Sequence, residues 1–288
     1  MIKEFALEPD VLAGSYHEFR YFIEKFGIEK GRVISCFPKK WKKLVYHAAN
    51  QKLQGKIELA IIVEKLNNIG NDVIFPSGRS GGDGSEKWIQ AAINAHAENP
   101  FSAIISNENI NDESILFKDN VNEDNQKFKA LTQTSINRTS TEMIDTAGFL
   151  LVHANHVKMV DTYFDISKPR FRRPFQKILN KLSNRKVTVD IYTSDNMGAQ
   201  ELLRRSKIIE TFLPRNITVN LFMLPEEKMH NRFLMSDRGG FIFGTGVDDN
   251  EDGNSNPTDE IVIMNNNIYM ARWNEYAGKT QLATFQSN

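Results

Sequence analysis

One short segment holds the residues best suited to chemistry. Within MHNRFLMSD, a single residue separates His230 from Arg232. In an extended strand, side chains two residues apart point to the same side, so the imidazole and the guanidinium would face one ligand. A cation can hold a non-bridging oxygen of a phosphodiester while an imidazole attacks its phosphorus. A carboxylate on a neighbouring strand, for which Glu260 in TDEIVIM is the candidate, can accept the other imidazole N–H and fix the tautomer.

The spacing around this pair resembles the signature of the phospholipase D superfamily. Four residues separate Arg232 from Asp237, and six more lead to the glycine-threonine-glycine run at 244–246. The superfamily pattern is His-x-Lys, four residues, Asp, six residues, then a Gly-Ser turn followed by Asn, with an acidic residue on the next strand. Glu260 fits that acidic place. Asp237, before a glycine turn, is expected to bond neighbouring backbone groups.

The sequence departs from the family pattern at three positions. Arg232 replaces lysine, which keeps the charge but adds bulk and a forked donor geometry. Thr245 replaces serine and keeps a hydroxyl. Val247 occupies the asparagine position and cannot hydrogen-bond phosphate. Asp248 or Asp249 would reach that position only if the loop shifted, and a carboxylate there would repel phosphate.

The resemblance covers roughly residues 145–280 and implies a mechanism. In the family, two such motifs related by twofold symmetry form one site. One histidine becomes a phosphohistidine, the other protonates the leaving oxygen, and no metal or cofactor is required. Because this chain carries one motif, the resemblance implies a homodimer across the His230 site. Arg232 would clamp phosphate, Glu260 would orient His230, and Asp237 and Thr245 would support them. The single motif and short chain place the resemblance in the bacterial nuclease branch, which implies nucleic acid as substrate.

A second polar cluster follows the strand predicted at 156–164. It combines acidic, aromatic and basic side chains: Asp161, Tyr163, Lys168, Arg170, Arg172 and Arg173. Ligands of open α/β sheets gather beyond the carboxyl ends of the strands, and a helix N-terminus attracts anions. One interpretation is a substrate-binding rim for a phosphate backbone. The other is a solvated basic turn, as Arg205 further along is interpreted as part of a solvated helix face.

The surrounding elements predict two domains, for which 288 residues suffice. Residues 1–126 are predicted to form a mainly helical N-terminal domain with one buried strand at 101–106. Residues 127–288 begin with a predicted helix over 127–148 and then alternate strand and helix. That alternation predicts an α/β class, here a phospholipase-D-like mixed sheet flanked by helices.

Composition narrows the class of protein further. Lys+Arg and Asp+Glu both number 36, so a nucleic-acid site must arise from local clustering. Cys36 is the sole cysteine, which excludes an intrachain disulfide and a cysteine-based zinc cluster and fits a reducing cytosol. A signal peptide and an apolar run of membrane-spanning length are both missing, so we expect a cytoplasmic protein without a membrane span.

Two other functions remain open at this stage. A catalytically degenerate phospholipase-D-like module would bind nucleic acid, a membrane or a protein partner, and Arg232 and Val247 favour it. A lipid-processing enzyme is disfavoured because the sequence lacks an amphipathic membrane segment. The N-terminal domain is expected to recognise substrate, gate the site or bind a protein partner, an arrangement that suits a nuclease of a phage-defence locus.

Overall fold

The structure, a computed structural model, describes residues 1–82, 86–229, 231–253 and 256–287. The chain divides into two compact units, Ile2–Leu131 and Thr132–Asn288, here called the N-terminal and C-terminal units. His230, the centre of the predicted site, lies outside the described residues. Each unit is built on its own sheet, so the predicted α/β class is confirmed. None of the described helices is long and apolar enough to cross a bilayer.

The N-terminal unit has a parallel sheet that shows five strands among the described residues. The strands are β1 (Lys3–Leu7), β2 (Arg32–Cys36), β3 (Ile74–Pro76), β4 (Ala103–Ser106) and β5 (Ile115–Phe117). The helices are α1 (Tyr16–Ile23), α2 (Trp41–Leu53), α3 (Ile57–Asn67) and α4 (Trp88–Glu98). The strand order is β3-β2-β1-β4-β5, so the chain reverses its winding direction between β1 and β4.

Helix exceeds strand in this unit, but the prediction of a mainly helical domain over 1–126 missed the parallel sheet that forms its centre. The strand predicted at 101–106 is present as β4, but the sequence did not predict the other four strands. They are three to five residues long. Short strands covered on both faces lack the alternation that marks a half-exposed strand. Aromatic side chains pack the helices: Phe19 and Phe22 of α1 are buried, and buried Trp41 of α2 donates its indole N–H to the carbonyl of Leu7 at 2.6 Å.

The C-terminal unit has a mixed sheet that shows eight strands within the described ranges. The strands are β6 (Gln133–Asn137), β7 (His156–Val160), β8 (Val187–Ser194), β9 (Ile217–Leu224), β10 (Arg232–Ser236), β11 (Gly239–Phe243), β12 (Thr258–Ile263) and β13 (Gln281–Gln286). The helices are α5 (Ser140–His153), α6 (Pro169–Leu182), α7 (Ala199–Ser206) and α8 (Asn266–Glu275). The strand order is β13-β9-β8-β7-β10-β11-β12-β6.

The helix predicted over 127–148 is wrong in its first half. Residues 133–137 form the edge strand β6, which pairs with β12. Helix α5 begins only at Ser140, where the Thr139 side chain accepts a hydrogen bond from the backbone N–H of Glu142. A threonine at this position caps a helix, so it marks where the strand gives way to the helix.

Strand direction in this sheet determines which side chains can meet. β7, β8 and β9 are parallel, whereas β10 runs antiparallel to β7 and pairs Phe233 with Val160. The start of β10, at Arg232, therefore lies beside the carboxyl end of β7. Phe233 packs in a core cluster with Tyr269 of α8. Because strand side chains alternate, Arg232 points to the opposite face of the sheet.

Candidate active site

Arg232 lies at the carboxyl edge of β7, where its positive charge acts on the buried carboxylate of Asp161. Its guanidinium lies over the ring of Tyr163, 5.4 Å from the ring centroid. Its Nε is buried and makes no hydrogen bond with any residue that the structure describes, and no carboxylate in that part of the chain forms an ion pair with it. Burying a donor without a hydrogen-bond partner costs free energy, and an anionic ligand at Arg232 would remove that cost.

Asp259 supplies a matching acceptor on the same face. Arg232 pairs with Phe243 on β11, and Phe243 pairs with Ile261 on β12. Asp259, two residues before Ile261, shares that face. Asp259 is buried, and its Oδ1 accepts hydrogen bonds from the backbone N–H groups of Thr245 at 3.0 Å and Glu260 at 2.8 Å.

The second carboxylate oxygen of Asp259 has no such partner. Oδ2 is buried and accepts no hydrogen bond from the described residues. Burial raises the pKa of Asp259, while the N–H groups of Thr245 and Glu260 oppose that rise. The face therefore carries two buried atoms, Arg232 Nε and Asp259 Oδ2, whose hydrogen-bonding capacity no described residue satisfies.

Glu260 is not on the sheet face that carries Arg232. As the immediate neighbour of Asp259, it points to the other face of β12. Its side chain is exposed and accepts a hydrogen bond from Gln133 Nε2 at 2.9 Å, across the pairing of β12 with the edge strand β6. The acidic residue on the Arg232 face is Asp259, whereas Glu260 is on the opposite face.

Asp237 has a structural role, as its position before a turn predicts. It lies at the far end of β10 from Arg232, and its carboxylate accepts hydrogen bonds from the backbone N–H of Asn155 at 3.0 Å and from Asn155 Nδ2 at 3.2 Å. This ties β10 to the start of β7. Thr245 is exposed and sits beside Asp259, so it remains near the candidate site.

The loop after β11 is pinned to the end of β7 by Asp161. Val247 is buried and donates its backbone N–H to Asp161 Oδ2 at 3.0 Å, and Tyr163 donates its backbone N–H to Oδ1 at 2.9 Å. Gly246 has φ +129, and a Cβ there would lie 2.8 Å from Asp161 Oδ2, so the close approach requires glycine.

Asp161 therefore holds these two loops together. Its side chain is buried, and both oxygens accept backbone N–H groups. Burial raises its pKa, and the like charge of Asp248 adds to that effect, while the charge of Arg232 opposes it. These contacts give Asp161 a structural role, and its substrate-binding role stays a prediction.

The two acids that follow Val247 are neutralised internally. Asp248 pairs with Arg138 at 2.8 Å and with Arg170 at 3.4 Å. Asp249 is buried and pairs with Arg173, whose pKa is raised by the hydrogen bond to that carboxylate. Both carboxylates face arginines, so the repulsion of phosphate expected from acids in this loop is largely cancelled. Arg173 is therefore ion-paired with acids of this loop, so its charge is not free to bind a substrate.

A cleft of about 390 Å³ opens beside Tyr163, beyond the ends of β7 and β8. Lys168 and Arg170, two members of the predicted basic rim, line it, whereas Arg172 and Arg173 do not. Arg205 of α7 lines it as well, although its sequence context is that of a solvated helix face. The structure thus retains part of the predicted rim and adds one cation that the sequence pattern conceals.

The described part of the chain offers no cluster of three or more His, Cys, Asp or Glu side chains arranged to hold a metal. His156 is engaged on the opposite face of the sheet. Its Nε2 lies 2.7 Å from Asp190 Oδ2, and its ring packs edge-on against Trp273 with the centroids 5.1 Å apart. Asp190 also accepts a hydrogen bond from Asn220 at 2.9 Å. This histidine is part of a packed polar cluster.

The fold defines an α/β protein of two units, each with its own sheet. No protein-family model matches the chain, and no curated protein matches it. Among solved structures, the archaeal chromatin protein TrmBL2, reported to show a novel mode of DNA binding, is similar at 14% identity and a TM-score of 0.33. The match covers 54% of this chain and 55% of TrmBL2, so the chain spans about half the length of that structure. A likeness this slight does not establish a shared fold.

Proposed function

We propose that the C-terminal unit is a metal-independent phosphodiesterase of phospholipase D type that acts on nucleic acid. The observation that carries the proposal is the unsatisfied pair on one sheet face, the Arg232 Nε donor and the Asp259 Oδ2 acceptor. The guanidinium would bind a non-bridging phosphate oxygen. The carboxylate would accept an imidazole N–H from His230 and orient that ring for attack.

The proposed reaction proceeds at a homodimeric site in two steps, formation of a phosphohistidine and its hydrolysis. A His230 nitrogen forms a bond to phosphorus, the bond to the leaving oxygen breaks, and His230 of the partner subunit gives that oxygen a proton. Water then attacks phosphorus, the N–P bond breaks, and the same partner histidine takes the proton from water. Arg232 holds the negative charge on the non-bridging oxygens in both steps.

Val247 favours a second candidate, a binding module that no longer cleaves. Its position corresponds to the phosphate-binding asparagine of the family pattern, and its side chain is buried rather than directed at a ligand. Arg232 would still bind the phosphate of a nucleic acid in such a module. Binding without turnover is the property that separates this candidate from the first.

The direct test of the proposal is cleavage in the absence of metal. Purified protein is incubated in EDTA with labelled single- and double-stranded DNA and RNA, beside His230→Ala and the control His17→Ala, which changes an exposed histidine on α1 of the N-terminal unit. We expect cleavage by the wild type and the control, and none by His230→Ala. Binding without cleavage by all three proteins would refute the first candidate in favour of the second.

Substitutions at Asp259 and Glu260 test which of the two carboxylates orients the nucleophile. We expect Asp259→Asn to lower kcat by about 10²- to 10⁴-fold with little change in KM, as at other histidine-orienting acids. Glu260→Gln should change kcat less than about threefold, since its side chain is exposed on the other face. Steady-state cleavage kinetics measure both. The reverse ranking would return the role to Glu260.

A further inference from the structure

Three cationic side chains line the cleft beside Tyr163. Lys168, Arg170 and Arg205 lie there together with the carboxylate of Asp165. Arg205 is held at the wall by buried Asp165 and by Glu201, each at 2.6 Å, and Arg170 lies 3.4 Å from Asp248. Lys168 is exposed, and its contact with Asp165 is a loose 3.8 Å, so its ammonium is the cation that a polyanion in the cleft would meet.

Tyr163 joins this cleft to the proposed phosphate site. The side chain is 54% exposed. Its ring lies under the Arg232 guanidinium and also lines the cleft. The backbone that carries the ring is anchored, because the backbone N–H of Tyr163 is held by buried Asp161. An exposed aromatic ring thus adjoins a cation that forms no ion pair with a described carboxylate.

We propose that the cleft binds an unpaired nucleotide, with its base stacked on Tyr163 and the adjoining phosphate at Arg232, so that the protein selects single-stranded over duplex nucleic acid. The inference rests on the proposed function, because it identifies the substrate of the same site. Stacking on a protein ring requires a base that has left its own stack, which a single strand provides at little cost. Exposed Lys168 then contacts a neighbouring phosphate.

The test measures binding separately from cleavage. The full chain carrying His230→Ala is titrated, in EDTA, into three fluorescent probes of one sequence: the single strand, its duplex, and the strand with abasic sites replacing its bases. Fluorescence anisotropy gives Kd. We expect the single strand to bind at least about fivefold more tightly than the duplex or the abasic strand, the fold-change that stacking of one base provides.

Substitutions at Tyr163 identify the platform. On the same background, Tyr163→Leu should weaken single-strand binding at least about fivefold and leave the abasic strand unaffected. Tyr163→Phe, which keeps the ring, should restore the affinity. Tyr46→Leu, at a tyrosine 41% exposed on α2, is the matched control and should change nothing. Thermal melting confirms that each variant is folded.

Lys168 offers an independent test of the charged wall. Lys168→Gln should weaken all three probes alike and make Kd less sensitive to salt, because one phosphate contact is lost. The control is Lys186→Gln, which changes an exposed lysine just before β8, at the opposite edge of the sheet. Lys186→Gln should leave Kd unchanged.

Three results would overturn the inference: equal affinity for single strand and duplex, equal affinity for the abasic strand, or no effect of Tyr163→Leu. Absence of binding to every probe would also overturn it. These outcomes are separate from those of the cleavage assay. Wild-type cleavage without strand preference would refute the inference alone, whereas strand preference without cleavage would refute the enzyme and retain a binding module.

Discussion

Arg232→Gln should lower kcat/KM for phosphodiester cleavage by about 10²- to 10³-fold, the usual loss when a group that stabilises developing negative charge is removed. The expectation follows from the state of the guanidinium, whose buried Nε makes no hydrogen bond within the described residues. Arg138 and Arg173, by contrast, are paired with aspartates. A guanidinium that forms no ion pair with a described carboxylate is available to a substrate anion, so its loss should act on the reaction and leave the fold intact.

Two further variants make this prediction specific. Arg232→Lys retains the charge and should recover most of the activity, since lysine binds phosphate as a point charge. Arg215→Gln, at an exposed arginine just before β9 and at the opposite edge of the sheet, should leave kcat/KM within about twofold. Activity of Arg232→Gln equal to wild type would show that the guanidinium does not contact the reacting phosphate.

Arg138→Met should destabilise the C-terminal unit by about 3–5 kcal/mol, the cost of leaving a buried charge without its main partner. The side chains of Arg138 and Asp248 are 4% and 8% exposed, and their contact is 2.8 Å. Arg138 also donates to the backbone carbonyls of Asp248 at 3.0 Å and Asn256 at 3.2 Å. The substitution therefore removes the anchor of the loop that follows β11 as well as an ion pair.

Urea unfolding followed by circular dichroism measures this effect. The matched control is Arg204→Met, which breaks an exposed pair with Glu201 on α7. Exposed pairs contribute about 0–1 kcal/mol, so the control should unfold close to the wild-type midpoint. Equal midpoints for Arg138→Met and Arg204→Met would mean that the loop is not held by the buried pair.

The alternation of strand and helix predicted for residues 127–288 is present from β7 onward. Helices α6 and α7 separate β7, β8 and β9, and β10 and β11 then follow. The sequence alone could not show whether Asp259 or Glu260 faces Arg232. The two acids are adjacent, and a shift of one residue exchanges the faces of the sheet. Only the pairing of β11 with β12 decides which of them faces Arg232.

The sequence predicted the basic rim only in part because ion pairing joins distant residues. Arg173 appeared free within its own segment, yet its partner Asp249 lies 76 residues further on. Arg205 was assigned to a solvated face, yet Asp165, 40 residues earlier, holds it at the cleft. Local charge patterns cannot show which cations are already neutralised by carboxylates from another element.

The N-terminal sheet was missed for a different physical reason. β3 and β5 have three residues each, too few for a period to emerge, whereas the amphipathic helices around them produce clear patterns. Parallel strands also pair across long sequence separations, as when β1 pairs with β4. The sequence therefore indicated the outer helices and only one strand of the sheet beneath them.

Capture of the covalent intermediate would reveal the phosphohistidine itself. An oligonucleotide with a different dye at each end is mixed with protein in EDTA and quenched at alkaline pH, where a phosphohistidine survives, and the protein is separated by denaturing electrophoresis. We expect a protein band that carries one dye only, in wild type and in His17→Ala, and no such band in His230→Ala. Cleavage without a labelled band, or an equal band in His230→Ala, would contradict it.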